Sequence, residues 1–205
     1  GNLADGCVAL DRFLDGGPPS IENEAEAEQC VPWLVQAADA EVAAGGVEAL
    51  VVNCMCDPGV AVLRARLEVP VIGPAEACMH LLAGLGLRFS VLDVVEEARE
   101  EVEAQVRRFG LDHAFASHRA IRVPVLDIYA DRTRSAAALH AEAMSAIGQD
   151  GAQALLLGCT GFSDLACDLR ALMAGGPDIA VIEALQTAVD LAAILVAARP
   201  GSGRG

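Results

Sequence analysis

The chain has 205 residues, 54% of them hydrophobic, and carries 14 basic against 29 acidic side chains for a formal net charge of −15. This length fits one large domain or two small ones, and the acidic excess excludes nucleic acid or an anionic membrane as a main partner. The longest clean apolar run, residues 191–198, is far below the ~20 residues of a bilayer span. No basic segment precedes an apolar one near the start, so no secretory signal is expected. Seven cysteines at irregular spacing point to free thiols in a reducing cytoplasm. Only Cys54 and Cys56 approach a metal-ligand spacing, and no second pair completes a zinc set, so no metal is expected.

In chain order, residues 7–14 read as a strand or edge segment ended by Gly16-Gly17-Pro18-Pro19. Ser20 or Asn23 is placed to cap a long helix ending at Gly45-Gly46. A short apolar strand follows at 49–53, a helix at 58–67 with proline in its first turn, a strand at 69–72 and a helix at 74–85. Gly84 and Gly86 mark a boundary. A second cycle then runs as a strand at 89–94, a charged amphipathic helix at 96–109, a strand at 121–123 and a helix at 135–147. It continues as a strand at 153–157, a helix at 163–173, a strand at 179–182 and a last helix at 183–198. Residues 199–205 have the composition of a tail.

Alternation of strand and helix predicts an α/β fold with parallel sheets covered by helices. The order of elements repeats, giving two similar lobes, 1–86 and 87–182, with the site in the cleft between them. Residues 183–198 form a final helix that packs back on the first lobe.

The repeat is anchored by two thiols. Leu50-Val51-Val52-Asn53-Cys54 and Leu155-Leu156-Leu157-Gly158-Cys159 are both buried strands that end in cysteine before a turn and a helix. The carboxyl ends of parallel strands are where open α/β proteins bind ligands. Backbone N–H groups of a following turn and helix start favour thiolate. A thiolate is a competent general base and a thiol a competent general acid. One of each, on opposite faces of a carbon acid, inverts a stereocentre without a cofactor. Groups around Asn53, Thr160 and Ser163 are placed to hold the resulting oxyanion. Cys7, Cys30, Cys78 and Cys167 read as small packed hydrophobes. Cys56 is open between packing, redox partner of Cys54 and accessory thiol.

At these motifs the chain resembles the aspartate/glutamate/hydantoin racemase family, and within it the hydantoin racemases. The resemblance lies in VVNCMCDPG at 51–59, VIGPAEACMH at 71–80, RFSVL at 88–92 and LLGCTGFSDL at 156–165, with GPPSIE at 17–22 upstream. It implies two α/β lobes, a cofactor-independent two-thiol mechanism, and Cys54 and Cys159 as the acid/base pair. Asn53, Thr160, Gly161, Asp93, Glu76 and His80 become candidates for substrate binding.

The chain also departs from the family. The usual first strand and its Asn-Thr type loop have no match before Gly16. Asp93 stands where a hydroxyl residue is frequent, and its charge repels a carboxylate substrate, which favours a neutral ring. Cys56 replaces a small residue. The expected function is therefore racemisation of 5-substituted hydantoins, in a cytoplasmic homo-oligomer whose partner is a small molecule. Amino-acid racemisation, arylmalonate-decarboxylase-like or maleate-isomerase-like chemistry, and ligand binding without catalysis are the alternatives.

Overall fold

A computed structural model describes residues 8–199. Segment 8–22 carries no strand, so the one expected there is absent from the described residues, and Cys7 lies outside them. Helix α1 (Glu24–Ala44) starts where Asn23 accepts the Glu26 N–H at 3.0 Å and stops at Gly45, whose φ is 84°. Strand β1 (Leu50–Val51), helix α2 (Val60–Arg66), strand β2 (Val71–Ile72) and helix α3 (Pro74–Gly84) follow. β1 and β2 form a two-stranded parallel sheet.

The second half holds β3 (Phe89–Asp93), α4 (Arg99–Phe109), β4 (Phe115–Ala120), α5 (Arg132–Asp150), β5 (Ala154–Leu157), α6 (Ser163–Leu172), β6 (Ala180–Ile182) and α7 (Ala184–Ala197). Its four strands are all parallel, in the order β4-β3-β5-β6. The expectation of a strand at 121–123 is corrected: the strand is β4, one stretch earlier. Ile121 and Val123 still donate to the carbonyls of Asp93 and Val94, at 2.9 and 3.0 Å. Arg122 between them takes a φ of 58°, which breaks the ladder.

Strand alternation sorts the side chains to two faces. Phe89, Val91, Ala154 and Leu156 pack under α3 and α4 with Met79, Leu82 and Val106. Leu92, Leu155 and Leu157 pack under α5 and α6 with Leu139, Leu165 and Leu169. Both faces are covered, so the central strand β5 reads as an unbroken apolar run, while β3 carries the buried polar residues Ser90 and Asp93. Helix α7 leaves β6 and crosses to the first sheet, where Ala188 and Ala192 pack on Ile72. Glu183 caps it by accepting the N–H groups of Leu185 and Gln186 at 2.9 and 2.7 Å. Helix α3 touches both α7 and β3, which locks the two sheets into one body around a shared cleft.

Among the described residues, no helix is long and apolar enough to cross a membrane.

Candidate active site

β1 ends in a tight turn. The Cys54 N–H donates to the Val52 carbonyl at 2.7 Å, and the Asp57 N–H donates to the Cys54 carbonyl at 3.1 Å. From α4, Gln105 pins the turn by donating to the Met55 carbonyl at 3.0 Å. Asp57 closes it with a φ of 50° and aims its carboxylate at the start of α3. There the N–H groups of Ala75 and Glu76 donate to its two oxygens at 3.0 and 2.9 Å. A side chain at Gly73 would lie 2.4 Å from the Asp57 carboxyl, so this approach needs glycine. Burial pushes the Asp57 carboxyl up to about 6, and the two N–H donors oppose that rise.

β5 delivers Cys159 in the same manner. The Gly158 N–H donates to the Leu92 carbonyl at 2.7 Å, and the Phe162 N–H to the Cys159 carbonyl at 3.0 Å. A Cβ at Gly158 would meet Val91 at 2.7 Å and Asp93 at 3.0 Å. The tyrosine hydroxyl of Tyr129 donates to the Gly161 carbonyl at 2.7 Å and steadies the turn after the thiol.

Both turns open into one cavity of about 510 Å³, lined by Asn53, Cys54, Cys56, Asp93, Cys159, Thr160 and Gly161 among others. Phe13 and residues 18–22 also line it, and Glu22 ties this segment to the second half by accepting the Val125 N–H at 2.9 Å. The described lining includes no lysine, arginine or histidine, but three carboxylates: Glu22, Asp93 and Glu101. Among the described residues, no group of three or more His, Cys, Asp or Glu could hold a metal ion.

The two sulfurs are not equivalent. The Cys54 thiol is held below its ordinary range because the Cys56 side chain hydrogen-bonds to it, against the opposing effects of burial, Asp57 and Glu101. The Cys56 thiol is correspondingly pushed up. Burial pushes Cys159 up to about 12; the Gly161 N–H opposes this, while the charges of Asp93 and Cys54 add to it. The first turn thus favours a thiolate and the second a thiol.

Of the nine residues named from sequence for catalysis or binding, Cys54, Cys159, Asn53, Thr160, Gly161 and Asp93 line this cavity, whereas Ser163 donates instead to the Thr160 carbonyl and to Glu183, at 2.8 and 2.9 Å. Glu76 and His80 do not line it. Glu76 turns to Arg64, which donates to it at 2.7 Å, and exposed His80 packs its ring against Phe109. Cys30 and Cys78 are buried as expected of packed thiols, whereas Cys167 is exposed on α6. Glu101, Gln105 and the Asp57 brace escaped the sequence reading. Only the Asp-Pro-Gly after Cys54 hinted at a turn that must return tightly to the sheet.

A sequence model described as Asp/Glu/Hydantoin racemase matches residues 13–192. The chain belongs to the Asp/Glu/hydantoin racemase family. A hydantoin racemase from Rhizobium meliloti is 34% identical over 184 residues, 88% of this chain and 73% of that protein. One from Pseudomonas sp. (strain NS671) is 32% identical over 157 residues, 75% of this chain and 61% of that protein. Among solved structures, an allantoin racemase from Klebsiella pneumoniae superposes with a TM-score of 0.86 at 28% identity, covering 95% of this chain and 78% of that one. Membership of this racemase family makes the protein an isomerase and fits the two-lobed arrangement and its central cleft.

Proposed function

We propose that the protein racemises 5-substituted hydantoins by a two-thiol mechanism. The single observation that supports it most is the pairing of a thiolate-favouring Cys54 with a thiol-favouring Cys159 in one cavity. In one direction, Cys54 removes the proton from the ring's stereogenic carbon, and the C–H electron pair moves onto the neighbouring carbonyl as an enolate. Cys159 then gives its S–H proton to the opposite face, the carbonyl re-forms, and the ring leaves inverted. Cys54 ends as thiol and Cys159 as thiolate, the state that serves the opposite enantiomer. No net oxidation occurs and no cofactor is consumed. Thr160, Gly161 and Asn53 are the groups assigned to the enolate oxygen and the ring amides.

The hydantoin reading rests on relatives named hydantoin racemases and on the charge of the cavity. A lining with three carboxylates and no described basic side chain disfavours free aspartate, glutamate or malonates. The presence of both cysteines also disfavours decarboxylation, which needs only one proton donor. Polarimetry on one enantiomer of 5-benzylhydantoin tests the proposal. The expected result is decay of rotation to zero by the native protein and its loss in Cys54→Ser and in Cys159→Ser. Undiminished decay in either variant would discard the scheme.

A further inference from the structure

His118 is the most anomalous polar group in the described molecule. It lies on β4 opposite Val91 of β3, its side chain is 0% exposed, and neither ring nitrogen has a hydrogen-bond partner. Leaving a buried donor unsatisfied is destabilising, so the placement calls for a physical reason. Its Nε2 sits 3.4 Å from Oδ2 of Asp93.

Asp93 is the last residue of β3 and is itself buried, yet it reaches the reaction cavity. Its Oδ1 accepts the Val94 N–H at 2.7 Å. Its Oδ2 faces His118 on one side and the turn that carries Cys159 on the other, 3.0 Å from where a Cβ on Gly158 would sit. The carboxylate is thus anchored by the backbone at Oδ1, while Oδ2 lies within ion-pair range of His118 and is left to accept a further hydrogen bond from the cavity side. His118 stays outside the reaction cavity and borders a second one of about 210 Å³ with Arg99 and Arg119. It therefore acts through Asp93 and not on the ligand.

We infer that His118 is a positioning residue that holds Asp93 as the acceptor for an N–H of the substrate ring. The site then selects cyclic ureides and imides with a free N–H beside the stereocentre and rejects their N-alkylated counterparts. This deepens the proposed function and rests on that reading of the cleft. The complementarity follows from the cavity: a fixed acceptor with no described basic neighbour in the lining suits a neutral donor, whereas a carboxylate ligand would be repelled.

Isothermal titration calorimetry with 5-benzylhydantoin and its two mono-N-methyl analogues tests this in the native protein, His118→Leu, His118→Gln and Asp93→Ala, with kcat and KM measured in parallel. The native protein is expected to bind at least one N-methyl compound about tenfold or more weakly than the parent ring. That ratio should fall to within about twofold in Asp93→Ala and His118→Leu, with KM moving more than kcat. It should be partly kept in His118→Gln, which retains an N–H donor. A purely structural histidine would change the melting temperature and leave the ratio alone. A His118→Leu variant that folds and keeps the native ratio overturns the inference, as does a native protein that binds all three rings equally or none of them. Should His118→Leu fail to fold, the Asp93→Ala and His118→Gln ratios decide. Calorimetry needs no turnover, so a native protein that shows the preference but does not racemise supports this inference while refuting the racemase reading.

Discussion

The hydroxyl of Thr160 reaches to 3.5 Å from the backbone carbonyl of Asn53. One residue follows Cys159 and the other precedes Cys54, so the flanks of the two thiols touch across the cleft. This contact holds the spacing between the two halves of the site at an exposed position, where little stability depends on it. Thr160→Val, which keeps the shape and removes the hydroxyl, should lower kcat/KM about tenfold while costing no more than about 1 kcal/mol of stability. Steady-state kinetics and a urea titration check both. A large stability loss with unchanged kinetics would contradict it.

The asymmetry of the sulfurs predicts their chemistry with an alkylating agent. Thiolate is the reactive form. Iodoacetamide at neutral pH should therefore label Cys54 well ahead of Cys159, whose thiol is pushed up to about 12 by burial. Cys56→Ala removes the hydrogen bond that favours the Cys54 thiolate and should slow that labelling about tenfold at the same pH. Peptide mass spectrometry reads the order of modification; faster labelling of Cys159 would reverse the assignment of base and acid.

Asp57 makes a pH-dependent contribution to stability. Its buried carboxyl lies at about 6 in the fold, against 3.8 ordinarily. A raised carboxyl favours the protonated folded state, so its contribution is complete below the unfolded value and is lost as pH rises through the folded one. The loss between about pH 4 and 6 amounts to at most about 3 kcal/mol. Asp57→Asn cannot titrate, so the native-minus-variant difference in unfolding free energy should decline with pH across that window. The variant should also be less stable overall, because an amide cannot accept both the Ala75 and Glu76 N–H groups. A difference that rises with pH would refute the assignment.

Gly158 is the packing constraint under Cys159. A methyl group there would lie 2.7 Å from Val91 and 3.0 Å from Asp93. Gly158→Ala should destabilise the protein by about 1–3 kcal/mol and reduce turnover sharply, because the displaced turn carries the thiol. Thermal melting and kinetics on the same sample test this; a variant with native melting and activity would show that the turn relaxes freely.

Glu76→Ala and His80→Ala should leave kcat/KM within about twofold of native, since neither side chain lines the cavity and exposed ion pairs contribute little. A tenfold loss from either would place it in the reaction after all.

Much of the fold was legible because its signals are local. Asn23 and Gly45 bracket α1, and Leu155 to Leu157 form an apolar run long enough only for a buried strand. The two cysteine turns stood out because they follow such strands. β4 did not, because Phe115-Ala116-Ser117-His118-Arg119-Ala120 mixes polar residues into an edge strand. Ser117 and Arg119 bond to Asp150 of α5 at 2.5 and 2.6 Å, while His118 turns inward. The strand pattern falls instead on the more apolar residues 121–123 that follow, and the proximity of His118 to Asp93 is hidden with it. Glu76 and His80 lie outside the cavity for a related reason: motif position names a residue, but the direction it faces depends on how α3 is rotated, and its buried side is taken by Cys78, Met79 and Leu82.

The central claim is that two sulfurs share the proton transfers, and solvent deuterium tests it most directly. With one enantiomer of 5-benzylhydantoin in D2O, the native protein should place deuterium at the stereogenic carbon of every inverted molecule, and Cys54→Ser and Cys159→Ser should each abolish inversion. Inversion that proceeds with the original hydrogen retained, or at the native rate with either sulfur replaced by oxygen, would contradict it.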